Sequence, residues 1–252
     1  MSAVYRRELR AYFTGMTAYV FIAFLLLFAG IYTMAYNLTG AYPNFEYVLQ
    51  SMSIIFLIAI PILTMRVIAE ERRQKTDQLL YALPIGMTRV VLGKYLAMIT
   101  VVAIPCAIMG AYPLILRSFG NVPLGTAYGT LLAFFLLSCT LSAVGMLISS
   151  LTDNQAVAAG LCFVVMLLLY FMNSLAGFLS DSDSLLCTVM ESLSVFERFY
   201  TFVSGVFDLT AVLFVDRIGY RASTVLAHAM CATGLIFMTI LPEILPSAFA
   251  GL

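Results

Sequence analysis

The chain has 252 residues, 62% of them hydrophobic and 10% charged, with a mean hydropathy of +1.01. Soluble domains are roughly half apolar, so this composition excludes a water-soluble fold and points to a polytopic membrane protein. Thirteen Lys and Arg balance thirteen Asp and Glu, so net charge gives no reason to expect nucleic acid as a partner, and the information lies in where the charges fall.

Residues 2–13, SAVYRRELRAYF, set Tyr5, Leu9, Tyr12 and Phe13 on one helical face and Arg6, Arg7 and Arg10 on another, the pattern of a helix lying in a membrane interface. The apolar run that follows, about Met16 to Tyr36, exceeds the roughly 7 to 15 residues of a signal-peptide core and is expected to be an uncleaved span. Runs at about Tyr47 to Met65, Tyr95 to Leu116, Leu124 to Ser149 and Gln155 to Leu179 also reach the roughly 20 residues that cross a hydrocarbon core. The predicted fold class is all-α, a transmembrane helical bundle, with Pro61, Pro105 and Pro113 marking kinks that neighbouring helices tolerate.

Between the second and third runs lies the segment Thr64 to Leu96, which holds six of the thirteen basic residues (Arg66, Arg72, Arg73, Lys75, Arg89 and Lys94). Glu71 precedes Lys75 by one helical turn, so the apolar helix is expected to continue into water to about Gln74. Thr76 is a candidate N-cap with Asp77 in the first turn, Leu79, Leu80 and Leu83 share one face, and Pro84-Ile85-Gly86 ends the short helix. The product is an exposed apolar stripe beside charges.

The order of residues from Glu70 to Leu80, EERRQKTDQLL, followed by Pro84 and Leu92-Gly93-Lys94, resembles the cytoplasmic loop of ABC-2 type transporter permeases, in particular the gliding-motility-associated branch. The resemblance implies one transmembrane domain over residues 1–252 with about six spans, an interfacial elbow helix at 1–15 and a cytoplasmic coupling loop at 66–94. It further implies that the coupling helix docks on a separate ABC ATPase subunit, with Glu70, Glu71, Arg72, Arg73, Thr76, Asp77, Leu79, Leu80 and Leu83 as coupling residues. ATP and Mg would be bound by that partner, with no cofactor on this chain, and a second permease subunit, identical or related, would complete the path. A solvated loop that only fixes topology is the plainer reading of charge content; the residue order favours coupling.

Orientation follows from the basic residues. Three precede the first span, six lie between the second and third, none lies between the first and second, and only Arg117 lies between the third and fourth. Nine of thirteen therefore share one side, which the positive-inside tendency makes the cytoplasm, with the N-terminus there and the chain in the cell membrane.

The turn from Gly145 to Gln155 also resembles the family. Thr152, Asp153 or Asn154 is a cap for the fifth span, or else the three form a second contact to the ATPase. Residues 180–221 are the longest external segment and bear acids (Asp181, Asp183, Glu191, Glu197, Asp208, Asp216). Within it Phe196, Phe199, Tyr200, Val203 and Phe207 recur at helical spacing, giving an amphipathic helix that rests in the outer leaflet or packs on the bundle; packing is the commoner role of such a stripe. Beyond about Phe214 the pattern departs from the resemblance: Asp216, Arg217 and Arg221 interrupt the expected sixth span, and the later run Ala222 to Leu241 contains His228 and no basic end. A tail replaced after that point, for instance by a frame change, is the expectation.

Absent chemistry narrows the function. Away from their ends the five runs contain no Asp, Glu, Lys, Arg or His, which disfavours an ion-coupled transporter. No GxxxxGK[ST] loop exists, so the chain does not hydrolyse ATP itself, and five scattered cysteines without a CxxC give no metal site. An intramembrane serine hydrolase would need Ser138 or Ser142 with the sole His228, and a non-transporting scaffold needs no motif at all. The pattern favours a permease subunit of an ATP-driven exporter.

Overall fold

A computed structural model describes residues 2–73, 87–120, 122–178 and 195–203. Among these residues the chain is helical without a strand, and five helices are long and apolar enough to cross a membrane: Thr17–Thr39, Glu46–Thr64, Thr88–Arg117, Leu124–Ser150 and the one starting at Gln155. The sequence placed all five, with the start of the third put seven residues late, at Tyr95 instead of Thr88. Hydrocarbon offers backbone groups no water, so a spanning segment must bond to itself. Hydroxyls follow the same rule: Thr33, Thr64, Thr100 and Thr140 each donate to the carbonyl four residues earlier in their own helix.

In chain order, α1 (Ser2–Thr14) precedes α2 (Thr17–Thr33), whose last turns widen into a π-helix at Met34–Thr39. The second span comprises α3 (Glu46–Met52), a 3₁₀ turn at Ser53–Ile55 and α4 (Phe56–Thr64). A short α5 (Ala69–Arg73) leads into the loop, and α6 (Met87–Met109) with α7 (Tyr112–Arg117) forms the third span. Then come α8 (Leu124–Ser150), α9 (Gln155–Phe178) and α10 (Val195–Val203). Pro61 and Pro105 sit inside α4 and α6, whereas Pro113 opens α7, the place where its missing N–H costs nothing.

The second span is the centre of the bundle. Two thirds of its most apolar window is buried, against less than a third for the first and fifth spans. Those two flanking spans turn Val20, Leu27 and Ile31, and Val157, Leu161, Val164 and Leu168, outward, as lipid-facing surfaces require. Phe56 stacks on Phe134 at 4.5 Å, joining the second and fourth spans.

The stripe at Phe196 and Phe199 packs on the bundle instead of lying in the leaflet. Phe199 approaches Phe134 at 6.0 Å and Phe196 meets Tyr170 edge-on at 5.2 Å, with both phenylalanines buried and Glu197 exposed. Aromatic partners on α8 and α9 cover these two rings. The predicted coupling helix from Thr76 to Leu83, most of residues 180–221 including Phe207, and the run Ala222 to Leu241 with His228 lie outside the described residues.

Candidate coupling site

The apolar helix of the second span does not run on to Gln74. It stops at Thr64, turns through residues 65–68 and restarts as α5. In a continuous helix the Ile68 and Ala69 N–H groups would bond to the carbonyls of Thr64 and Met65. Here both donate to the Ser149 hydroxyl oxygen, at 3.3 and 3.2 Å, and that hydroxyl donates to the Met65 carbonyl at 3.4 Å. One side chain at the end of α8 thus takes over the ladder of another helix, with its donor and both lone pairs in use.

The close approach this needs is set four residues earlier. A Cβ at Gly145 would stand 2.6 to 2.9 Å from the Thr64 side chain, nearer than any real Cβ contact, so only glycine lets α8 reach the end of α4. Thr64 is fully buried, and its hydroxyl also lies 3.7 Å from the Cys162 sulfur on α9.

Lys94 secures the turn from the other side. It is 3% exposed, and its Nζ donates to the Val67 carbonyl at 2.8 Å while facing Glu8 of α1 at 3.6 Å. Glu8 also accepts from Arg7 at 2.6 Å. A lysine so deeply buried is tolerated only with such partners. The Tyr5 and Thr100 hydroxyls meet at 3.0 Å, so α1 lies along the start of the third span with Tyr12 buried and Arg6, Arg7 and Arg10 exposed, the two faces that the sequence indicated. Burial raises the Tyr12 pKa above its ordinary value, helped by Glu8, so this phenol stays neutral.

Arg66 adds a third tie. Its guanidinium donates to both Glu70 oxygens, at 2.8 and 3.1 Å, and to the Thr17 hydroxyl at 3.0 Å where the first span begins. The bond to Glu70 raises the Arg66 pKa, so the guanidinium stays charged. Through these ties the starts of the first and third spans and the ends of the second and fourth gather at one end of the bundle, and α5 packs against α9 there. Among the described residues, that end carries Arg6, Arg7, Arg10, Arg66, Arg72, Arg73, Arg89 and Lys94, whereas Arg117 lies at the other.

Of the sequence-predicted site residues, Glu70 is held by Arg66 and Arg73 is exposed at the end of α5. Glu71 and Arg72 lie within α5, while Thr76, Asp77, Leu79, Leu80 and Leu83 fall outside the described residues. In the turn before α9, Asn154 is the cap: its side-chain oxygen accepts from the Ala156 N–H at 3.0 Å, and its own N–H donates to the Thr152 hydroxyl at 3.2 Å. Asp153 is exposed beside them. Sequence reasoning held Gly145, Ser149 and Lys94 within segments that resemble the family, but it missed the packing role of the glycine, the bonds of the serine and the burial of the lysine. Of the two serines weighed for hydrolysis, Ser138 donates to the Phe135 carbonyl of its own helix at 2.7 Å, and Ser142 is buried in α8.

No curated protein and no solved structure matches the chain. The family described as ABC-2 family transporter protein matches residues 36–241, about four fifths of the sequence. The match runs past Phe214 through the Ala222 to Leu241 run, so the resemblance does not end where the charged interruption suggested. With five membrane-spanning helices and a family match over most of its length, the chain belongs to the ABC-2 family of transporter proteins, as an integral membrane permease rather than an enzyme.

Proposed function

We propose that this permease couples to its ABC ATPase through the loop at residues 66–94, and that the ties at Ser149, Lys94 and Arg66 are the stem that carries the motion. Family membership implies the ATPase partner and the bilayer. The observation that supports coupling through this loop is that its root is bonded to α2, α6 and α8, with Lys94 of α6 also paired to Glu8 of α1. A displacement of α5 is thereby shared among the spans instead of being absorbed by a slack linker.

In this reading the Thr76 to Leu83 helix docks on the ATPase. Leu79, Leu80 and Leu83 supply the apolar contact, with Glu71, Arg72, Arg73 and Asp77 setting register, and Glu70 fixed to Arg66 as part of the stem. Thr152, Asp153 and Asn154 form a second, smaller contact at the same end. ATP and Mg are held by the partner, whose closure favours one arrangement of two permease subunits, identical or related, over another. In the same reading, the order EERRQKTDQLL supports membership of the gliding-motility-associated branch of exporters, and the basic residues support a cell-membrane protein with a cytoplasmic N-terminus.

The test is co-purification in mild detergent with the neighbouring gene products. A P-loop protein is expected to remain bound to the natural chain and to be lost from Leu80→Asp, while insertion and thermal unfolding stay unchanged. A bound ATPase unaffected by Leu80→Asp overturns the docking assignment. Recovery of the folded chain alone favours a scaffold.

A further inference from the structure

Glu46 opens the second span at the end of the bundle opposite the basic loop. Glu8 and Glu70 have cationic partners, but neither carboxylate oxygen of Glu46 has a hydrogen-bond partner among the described residues, and Glu46 is only 4% exposed. A carboxylate stripped of water without a partner is costly, which makes Glu46 a candidate binding group.

A cavity of about 500 Å³ adjoins it, lined by Glu46 with Asn44, Tyr47, Gln50, Thr126 and Tyr200. The residues come from three elements: the connection between the first two spans with α3, the start of α8, and α10. Tyr200 is fixed in place, its hydroxyl 3.1 Å from that of Ser53.

We propose that this cavity binds an ammonium group, with Glu46 as counter-ion. One carboxylate supplies one negative charge, the amide and hydroxyl oxygens accept from N–H donors, and the two lining tyrosines carry rings of the kind that attracts organic cations. Among the described residues no basic side chain lines the cavity, which disfavours an anion, and a divalent metal ion draws on more charged oxygens than one carboxylate provides. The volume suits a small ligand or a headgroup. Because Glu46 stands at the first turn of a span, the cavity lies at the depth of lipid headgroups, so the ammonium comes either from an aminophospholipid or from a free amine. The inference rests on this cavity and is independent of ATPase coupling.

The test follows thermal unfolding of the full chain in detergent by circular dichroism. Ethanolamine, phosphatidylethanolamine, phosphatidylglycerol with the same acyl chains, and calcium chloride are titrated separately. At least one amine is expected to raise the midpoint saturably, and Glu46→Gln to weaken that response about tenfold, as loss of a charge-assisted contact does. A response to ethanolamine alone identifies a free-amine site, and one confined to phosphatidylethanolamine identifies the headgroup. No response to either amine, an equal response from Glu46→Gln, or a stronger response to calcium overturns the proposal. Should Glu46→Gln not fold, Thr126→Val on the opposite wall is read the same way: several-fold weaker amine binding is expected, and unchanged affinity overturns it.

Discussion

Ser149 concentrates at one hydroxyl what the loop needs to move with the membrane helices. Two backbone donors and one acceptor of the 65–69 turn converge on it. Replacing it with alanine strands the two N–H groups, of which that of Ala69 belongs to a fully buried residue, and each unsatisfied group costs about 1–3 kcal/mol. Ser149→Ala is therefore expected to lower the unfolding midpoint in detergent and to speed hydrogen exchange at Ile68 and Ala69. Exchange at the wild-type rate would show that the turn holds itself. Nothing in the sequence marks this serine, because α8 has others at Ser138, Ser142 and Ser150 with the same apolar neighbours. Lys94 was legible as a charge and not as a buried one, since burial depends on Val67 and Glu8 arriving from elsewhere in the chain.

Helix α1 is an element whose two faces the sequence shows directly, and its docking needs a corner the sequence hides. At Gly15 a Cβ would stand 2.9 Å from the Ala11 carbonyl oxygen, and Met16 adopts φ 58°, the left-handed region. A non-glycine residue there carries roughly 1–2 kcal/mol of strain, and Met16 is 74% exposed, so no packing compensates. Met16→Gly is expected to raise stability by up to about 1 kcal/mol after the greater chain entropy of glycine, whereas Met16→Val lowers it. Thermal melts of the two variants check the sign, and a melt of Met16→Gly at or below the wild type would sink the strain account. In α10, by contrast, helical spacing gave the face, and Phe134 and Tyr170 decided what covers it.

At the scale of the whole molecule, the bundle separates a basic end from a tyrosine-rich one. Tyr36 accepts from Ser51 at 3.1 Å, Tyr128 donates to the Gly110 carbonyl at 3.0 Å, and Tyr200 lines the cavity at that second end, the places amphipathic rings take at a membrane surface. In a background with the five native cysteines replaced, Ser2→Cys and Thr88→Cys are expected to react with an impermeant maleimide only after the membrane is opened. Phe119→Cys, at a site 82% exposed in the connection after α7, should react from outside in sealed cells. The reverse pattern would invert the orientation, and labelling of Ser2→Cys and Thr88→Cys from opposite sides would overturn the two-span path between them.

The sequence by itself determined the five spans, the amphipathic first helix and the segregation of basic residues. These depend on local composition and period, and a bilayer enforces them on any chain with that pattern. The family resemblance in the loop was legible for a similar reason, as a contiguous order of residues. Only the tertiary structure decided that the helix of the second span breaks at residues 65–68 instead of running on, and that Lys94 and Glu46 are buried, one paired and one beside a cavity. Each of those outcomes is a contact between residues distant in the chain, and a run of apolar residues does not record which of its polar members will meet.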